Sequence, residues 1–153
     1  MERLRPLRTF IVGIDPGTTT GIALYDRKRN KILIVRSSDF FGAQSFLNES
    51  FPHKNEVKIF VEHPSRFLYD RNAAFENATR DNALTKMGGN RREAELLAEA
   101  LKRIGFDEVE LVEPVREKKW TQEKFQLFTG KRQRTSQHER DAARLAVYYA
   151  DKR

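Results

Sequence analysis

At 153 residues the chain has room for one domain with at most a short arm. Hydrophobic residues are 39% and charged residues 33%, which predicts a soluble globular domain rather than a disordered tail; no apolar run approaches the roughly 18–20 residues that span a bilayer, and the absence of cysteine excludes disulfides, thiolate zinc sites and a cysteine nucleophile. Lys and Arg number 29 against 22 Asp and Glu, and the resulting +7 suits a polyanionic partner, with a merely soluble basic protein as the plain alternative.

Residues 1–8 read as a short basic arm rather than a secretory leader, because Asp15 cuts off the apolar run behind it. A cytoplasmic location is the expectation. Thr9 to Asp15 is apolar and β-branched and ends at Pro16-Gly17, the pattern of a buried strand stopped by a turn. Gly21–Tyr25 and Lys31–Val35, joined by the polar turn 26–30, complete an antiparallel meander. A short helix is expected over 39–50, with Phe40, Phe41, Phe46 and Leu47 as its apolar members, and a fourth strand over Val57–Glu62. Residues 65–89 have mixed composition and read as a loop with a turn or two of helix. Arg91 to Ile104 carries Ala94, Leu97, Ala98 and Leu101 at helical spacing, with Gly105 as its stop. A fifth strand, Glu108 to Val112, precedes Pro114. Residues 117–128 could be helical, ending at Gly130, and 131–135 form a basic loop. Ser136 and Glu139 make a capping box that opens a last helix, whose apolar stripe is Ala142, Leu145, Ala146 and Tyr149. The order predicts a three-layer α/β domain, a mixed five-stranded sheet flanked by helices.

Four residues stand out chemically. In Ile11-Val12-Gly13-Ile14-Asp15, alternation puts Ile11, Gly13 and Asp15 on one face, and Gly13 allows close approach beside the carboxylate. An acid closing an apolar run is costly to bury unless paired or metal-bound, although Asp also commonly opens a turn. Glu62 repeats the pattern on the fourth strand. His138 and Asp141, three apart on the last helix, share a face expected to point inward, since Asp141 adjoins Ala142 and precedes Leu145 by one turn. Three acids and an imidazole make an oxygen-rich donor set suited to Mg²⁺ or Mn²⁺, and two such ions can drive phosphodiester displacement. Between Arg116 and Arg140, eight basic residues face only Glu117, Glu123 and Glu139, so a nucleic-acid surface is expected beside this site.

The segments Ile11 to Thr18, Gly21, Val61-Glu62 and His138-Glu139-Arg140-Asp141-Ala142 resemble the RuvC family of Holliday-junction resolvases, within the RNase H-like superfamily, over nearly the whole chain. The resemblance implies an RNase H-like fold and a homodimer that nicks four-way DNA junctions symmetrically, with two Mg²⁺ or Mn²⁺ ions held by Asp15, Glu62, His138 and Asp141. Many members have aspartate where this chain has His138; the softer imidazole would favour Mn²⁺. The family's basic residue after the fifth strand matches Lys118 best, with Lys119 the alternative, and its junction-probing aromatic matches Phe67, with Tyr69 second. Arg66, Lys118, Lys119, Lys131, Arg132 and Arg134 would contact DNA. Leu96 extends the apolar face of the 91–104 helix and makes it a candidate dimer face. The loop Asp15 to Gly21 also looks like a phosphate loop of actin-like ATPases, but 153 residues cannot supply their second domain. An RNA-processing nuclease of the same superfamily and a non-catalytic junction-binding protein are the remaining alternatives.

Overall fold

The structure, a computed structural model, describes residues 7–64 and 77–151, with side chains at 7–64 and 89–151. Strands β1 (Phe10–Asp15), β2 (Thr20–Asp26), β3 (Lys31–Ser38), β4 (Val57–Glu62) and β5 (Val109–Val112) form one sheet in the order β3-β2-β1-β4-β5. The first three pair antiparallel as the expected meander, and β4 and β5 add in parallel. Among the described residues, four α-helices and the short 3-10 helix Lys54–Glu56 accompany them: α1 (Phe40–Ser50), α2 (Asn77–Ile104), α3 (Gln122–Thr129) and α4 (Gln137–Ala150).

Strand alternation sorts the side chains of the sheet into two cores. Ile11, Ala23 and Phe60 pack with Ala142, Leu145 and Ala146 of α4. Val12, Ile14 and Ile59 pack on the opposite face with Leu47 of α1 and Leu97 and Leu101 of α2. Being covered on both faces is why β1 reads as a continuous apolar run. Each fully buried Leu, Ile or Phe contributes about 1.5–3 kcal/mol, so both layers hold β1 and its terminal carboxylate in place.

Two expectations are corrected. The helix expected from Arg91 begins at Asn77, so Gly88 and Gly89 lie inside α2 rather than in a loop. Its C-terminal half is anchored by buried Ala94, Leu97 and Leu101. Once that half is fixed, each added residue gains a ladder hydrogen bond, which outweighs about 1 kcal/mol per glycine. The helix expected over 117–128 starts only at Gln122, where Thr121 caps it by accepting a hydrogen bond from the Lys124 amide at 3.1 Å. Residues 113–121 instead run as an irregular strap. Two strap carbonyls are taken by arginine side chains of α4, from Arg144 to Glu117 and from Arg140 to Trp120. Gly130 ends α3 in the left-handed region at φ 71°, and the capping box at Ser136 forms as expected.

Candidate active site

Parallel pairing of β1 and β4 sets Ile14 opposite Val61, so the following residues, Asp15 and Glu62, sit side by side at the C-terminal ends of adjacent strands. The third partner comes from α4, and two glycines admit it. A Cβ on Gly13 would run into the Ala142 carbonyl and lie 2.8 Å from the Ala146 nitrogen. On Gly21, which pairs with Asp15 across the β1–β2 ladder, a Cβ would strike the His138 carbonyl. The space beside Gly13 is thus filled by helix backbone, and this approach delivers the first turn of α4 to Asp15.

His138 Nδ1 lies 3.0 Å from Asp15 Oδ2, and the Asp15 and Glu62 carboxyls are close enough for each to perturb the titration of the other. Asp141 is buried at 8% exposure; its Oδ1 accepts from Gln137 Nε2 at 2.7 Å and its Oδ2 pairs with Lys119 Nζ at 3.3 Å. Arg144 lies behind it, 4.0 Å from Oδ1. One expectation needs correcting here. His138 was expected to point inward with Asp141, yet half of its side chain is exposed. It belongs to the first turn of α4, where the helix face passes from core to solvent, and it reaches Asp15 from the open side.

Electrostatics follow from this crowding. Burial raises the pKa of Asp15, the hydrogen bond with His138 partly offsets it, and the charge on Asp141 adds to the rise. Burial and then the neighbouring Asp15 charge push Glu62 up to about 8. The Asp15–Glu62 pair therefore keeps a proton near neutral pH, because Lys119 and Arg144 sit against Asp141 and offset the crowding at Glu62 only in part. Among the described residues, no three Asp, Glu or His side chains are set, as they stand, to hold one metal ion. Asp141 has turned its oxygens to Gln137 and Lys119, and Asp15 has given one to His138. The donor set itself, three carboxylates and an imidazole, has the chemistry a hard divalent cation takes, and such an ion would compete for the shared proton and the Lys119 contact.

Of the two lysines considered for this site, Lys119 makes the ion pair to Asp141, while Lys118 is exposed. The sequence preference for Lys118 therefore gains nothing from the geometry. Lys131, Arg132 and Arg134 lie on the loop between α3 and α4. That loop is pinned to α3, with Gln122 Nε2 donating to the Gln133 carbonyl at 2.9 Å and Gln122 Oε1 accepting from the Thr135 amide at 2.9 Å. Arg66, Phe67 and Tyr69 lie outside the described residues. Leu96 is exposed on α2, at 44%. Sequence reasoning missed Gln137, Arg140 and Arg144, all of which touch Asp141 or the strap carrying Lys119. The signal was a cation inside an apolar stripe, Ala142-Ala143-Arg144-Leu145-Ala146, since a guanidinium placed there must have a carboxylate or carbonyl to meet.

No family model and no curated protein matches the chain. Among solved structures it is similar to T. thermophilus RuvC in complex with a Holliday junction substrate, with a TM-score of 0.58 and 16% sequence identity, over 94% of this chain and 93% of that one. Among the described residues, no helix is long and apolar enough to cross a membrane. The chain has a RuvC-like form of the RNase H-like fold.

Proposed function

We propose that this protein is a metal-dependent endonuclease that resolves four-way DNA junctions by paired, symmetric nicks. The observation that supports the reading is the His138 Nδ1–Asp15 Oδ2 contact at 3.0 Å beside Glu62 on the neighbouring strand of a RuvC-like sheet, with Asp141 three residues on from His138 along α4. Asp15, Glu62, His138 and Asp141 would hold two Mg²⁺ or Mn²⁺ ions, with the imidazole favouring Mn²⁺. When bound, such ions activate a water and stabilise the leaving oxygen of a phosphodiester. The chain's own side chains do the rest. His138, half exposed at the lip, presents Nε2 to the incoming strand or water, while Asp15 fixes its ring through Nδ1. Lys119 offsets charge building on the phosphate. Lys131, Arg132 and Arg134 hold backbone phosphates on a loop already ordered by Gln122, giving affinity without sequence preference. Arg66, Phe67 and Tyr69 stay assigned to the junction crossover by resemblance alone. Because a four-way junction has two-fold character, two nicks require two chains, and the α2 face around Leu96 is the proposed contact.

Labelled four-way junction, duplex DNA and RNA–DNA hybrid, each incubated with Mn²⁺ or Mg²⁺, test this reading. Symmetric nicking of the junction alone, abolished in Asp15→Asn while junction binding persists, is the expected result. Cleavage of the hybrid alone would make the protein an RNA-processing nuclease instead. One observation favours a second reading, a non-catalytic junction binder: Asp141 is already neutralised by Lys119. That reading predicts junction binding with no nicking in either metal.

A further inference from the structure

We propose that Arg140 and Arg144, one turn apart on α4, are positioning residues that clamp the strap at 117–120 and thereby hold Lys119 against Asp141. The strap has no helical or sheet hydrogen bonds of its own around its two lysines. Its backbone is fixed at two points that bracket them. Arg144 donates to the Glu117 carbonyl at 2.7 Å, and Arg140 Nε donates to the Trp120 carbonyl at 3.1 Å. With the carbonyls on both sides of Lys118-Lys119 held, the two side chains leave the backbone in set directions; one lies free on the surface and the other meets Asp141 at 3.3 Å. Arg140 also donates to the Thr135 carbonyl at 2.6 Å and to Gln137 Oε1 at 3.1 Å. The latter bond turns the Gln137 amide so that its Nε2 faces Asp141. Both polar donors on Asp141 are therefore aimed by the same pair of arginines.

Stability alone explains Arg144 poorly. Its residue is 6% exposed, it sits in the apolar stripe of α4, and its Nε has no partner. A buried guanidinium with an unmet donor is costly, and an apolar residue of similar volume is often no less stabilising. What an apolar residue cannot do is grip the Glu117 carbonyl while standing beside Asp141.

Arg144→Met, Arg144→Lys and wild type are compared in two ways. The first needs no metal, DNA or activity: limited trypsin digestion, with mass spectrometry reading cleavage after Lys118 and Lys119. The clamp predicts at least ~10-fold faster cleavage at these bonds in Arg144→Met, with other sites unchanged. The second reading rests on the nuclease function proposed above: kcat for junction nicking falls ~10- to 100-fold while KM stays within about threefold, because the phosphate-holding loop is untouched and what is lost is the Lys119 direction, together with the Arg144 charge beside Asp141 that Arg144→Lys retains. Arg144→Lys keeps the charge but has a single donor head, so it stays impaired in both; if Arg144→Met does not fold, this variant carries the same readouts. Unchanged tryptic cleavage at Lys118 and Lys119 overturns the clamp. So does a variant that loses junction binding and thermal stability together with nicking, since that marks Arg144 as merely structural. If wild type nicks no junction, the tryptic pattern still decides the clamp, and only the nuclease reading fails.

Discussion

Glu62 offers the sharpest stability test. Its carboxyl is pushed from an ordinary 4.5 to about 8 by burial and by Asp15 beside it. Between those two pH values the folded chain keeps a proton that the unfolded chain has released. Stability is therefore highest below about 4.5 for this group and is lost as pH rises through about 8. At about 1.4 kcal/mol per pH unit the full span would be worth ~5 kcal/mol. Solvent reaching the open side of the site, where His138 is half exposed, reduces this to an effect of about 2–3 kcal/mol. Glu62→Gln keeps the shape and removes the titration. In thermal melts with chelator present, wild type should lose ~5–10 °C between pH 5 and pH 8 relative to Glu62→Gln, and Mn²⁺ should restore wild type alone. Parallel melting curves for the two proteins across that range would refute the reasoning.

Three further outcomes follow from the geometry. Gly21→Ala places a methyl group on the His138 carbonyl, so denaturant melts should show a loss of about 3 kcal/mol or more, with nicking abolished. Lys119→Ala should lower kcat for junction nicking by ~10²-fold, against less than about threefold for Lys118→Ala, in single-turnover assays. Replacing Lys131, Arg132 and Arg134 together by Ala should flatten the slope of log affinity against log salt by about 2–3, measured by junction anisotropy titrations, while leaving the chemical step of bound junction nearly unchanged.

The sheet and its acids were legible because each rests on local rules. Alternation in Ile11-Val12-Gly13-Ile14-Asp15 fixes which face carries Asp15, and two β-rich runs ending in acids place Asp15 and Glu62 side by side once the strands pair in parallel. The Ser136–Glu139 capping box announced where α4 begins, and so which residues occupy its first turn. What escaped depends on contacts distant in sequence. Residues 117–121 of the strap read as part of a helix, but the carbonyls of Glu117 and Trp120 bond to arginines 27 and 20 residues away. The exposure of His138 could not be read from spacing, because a helix face at its first turn meets solvent whatever its later turns bury. The N-terminal extension of α2 through Gly88-Gly89 shows cooperative propagation overriding local propensity. Gly13 allows close approach by spacing alone, but that what approaches Gly13 and Gly21 is the helix bearing His138 and Asp141 depends on the packing of α4.

The account turns on whether these four side chains gather divalent ions. Calorimetric titration of Mn²⁺ into metal-free protein at pH 8 and pH 6, in buffers of differing ionisation heat, addresses that without DNA. The account predicts saturable binding that is tighter at pH 8, releases protons, and disappears in Asp15→Asn. Equal heats for wild type and Asp15→Asn, or binding that takes up no dependence on pH, would contradict it.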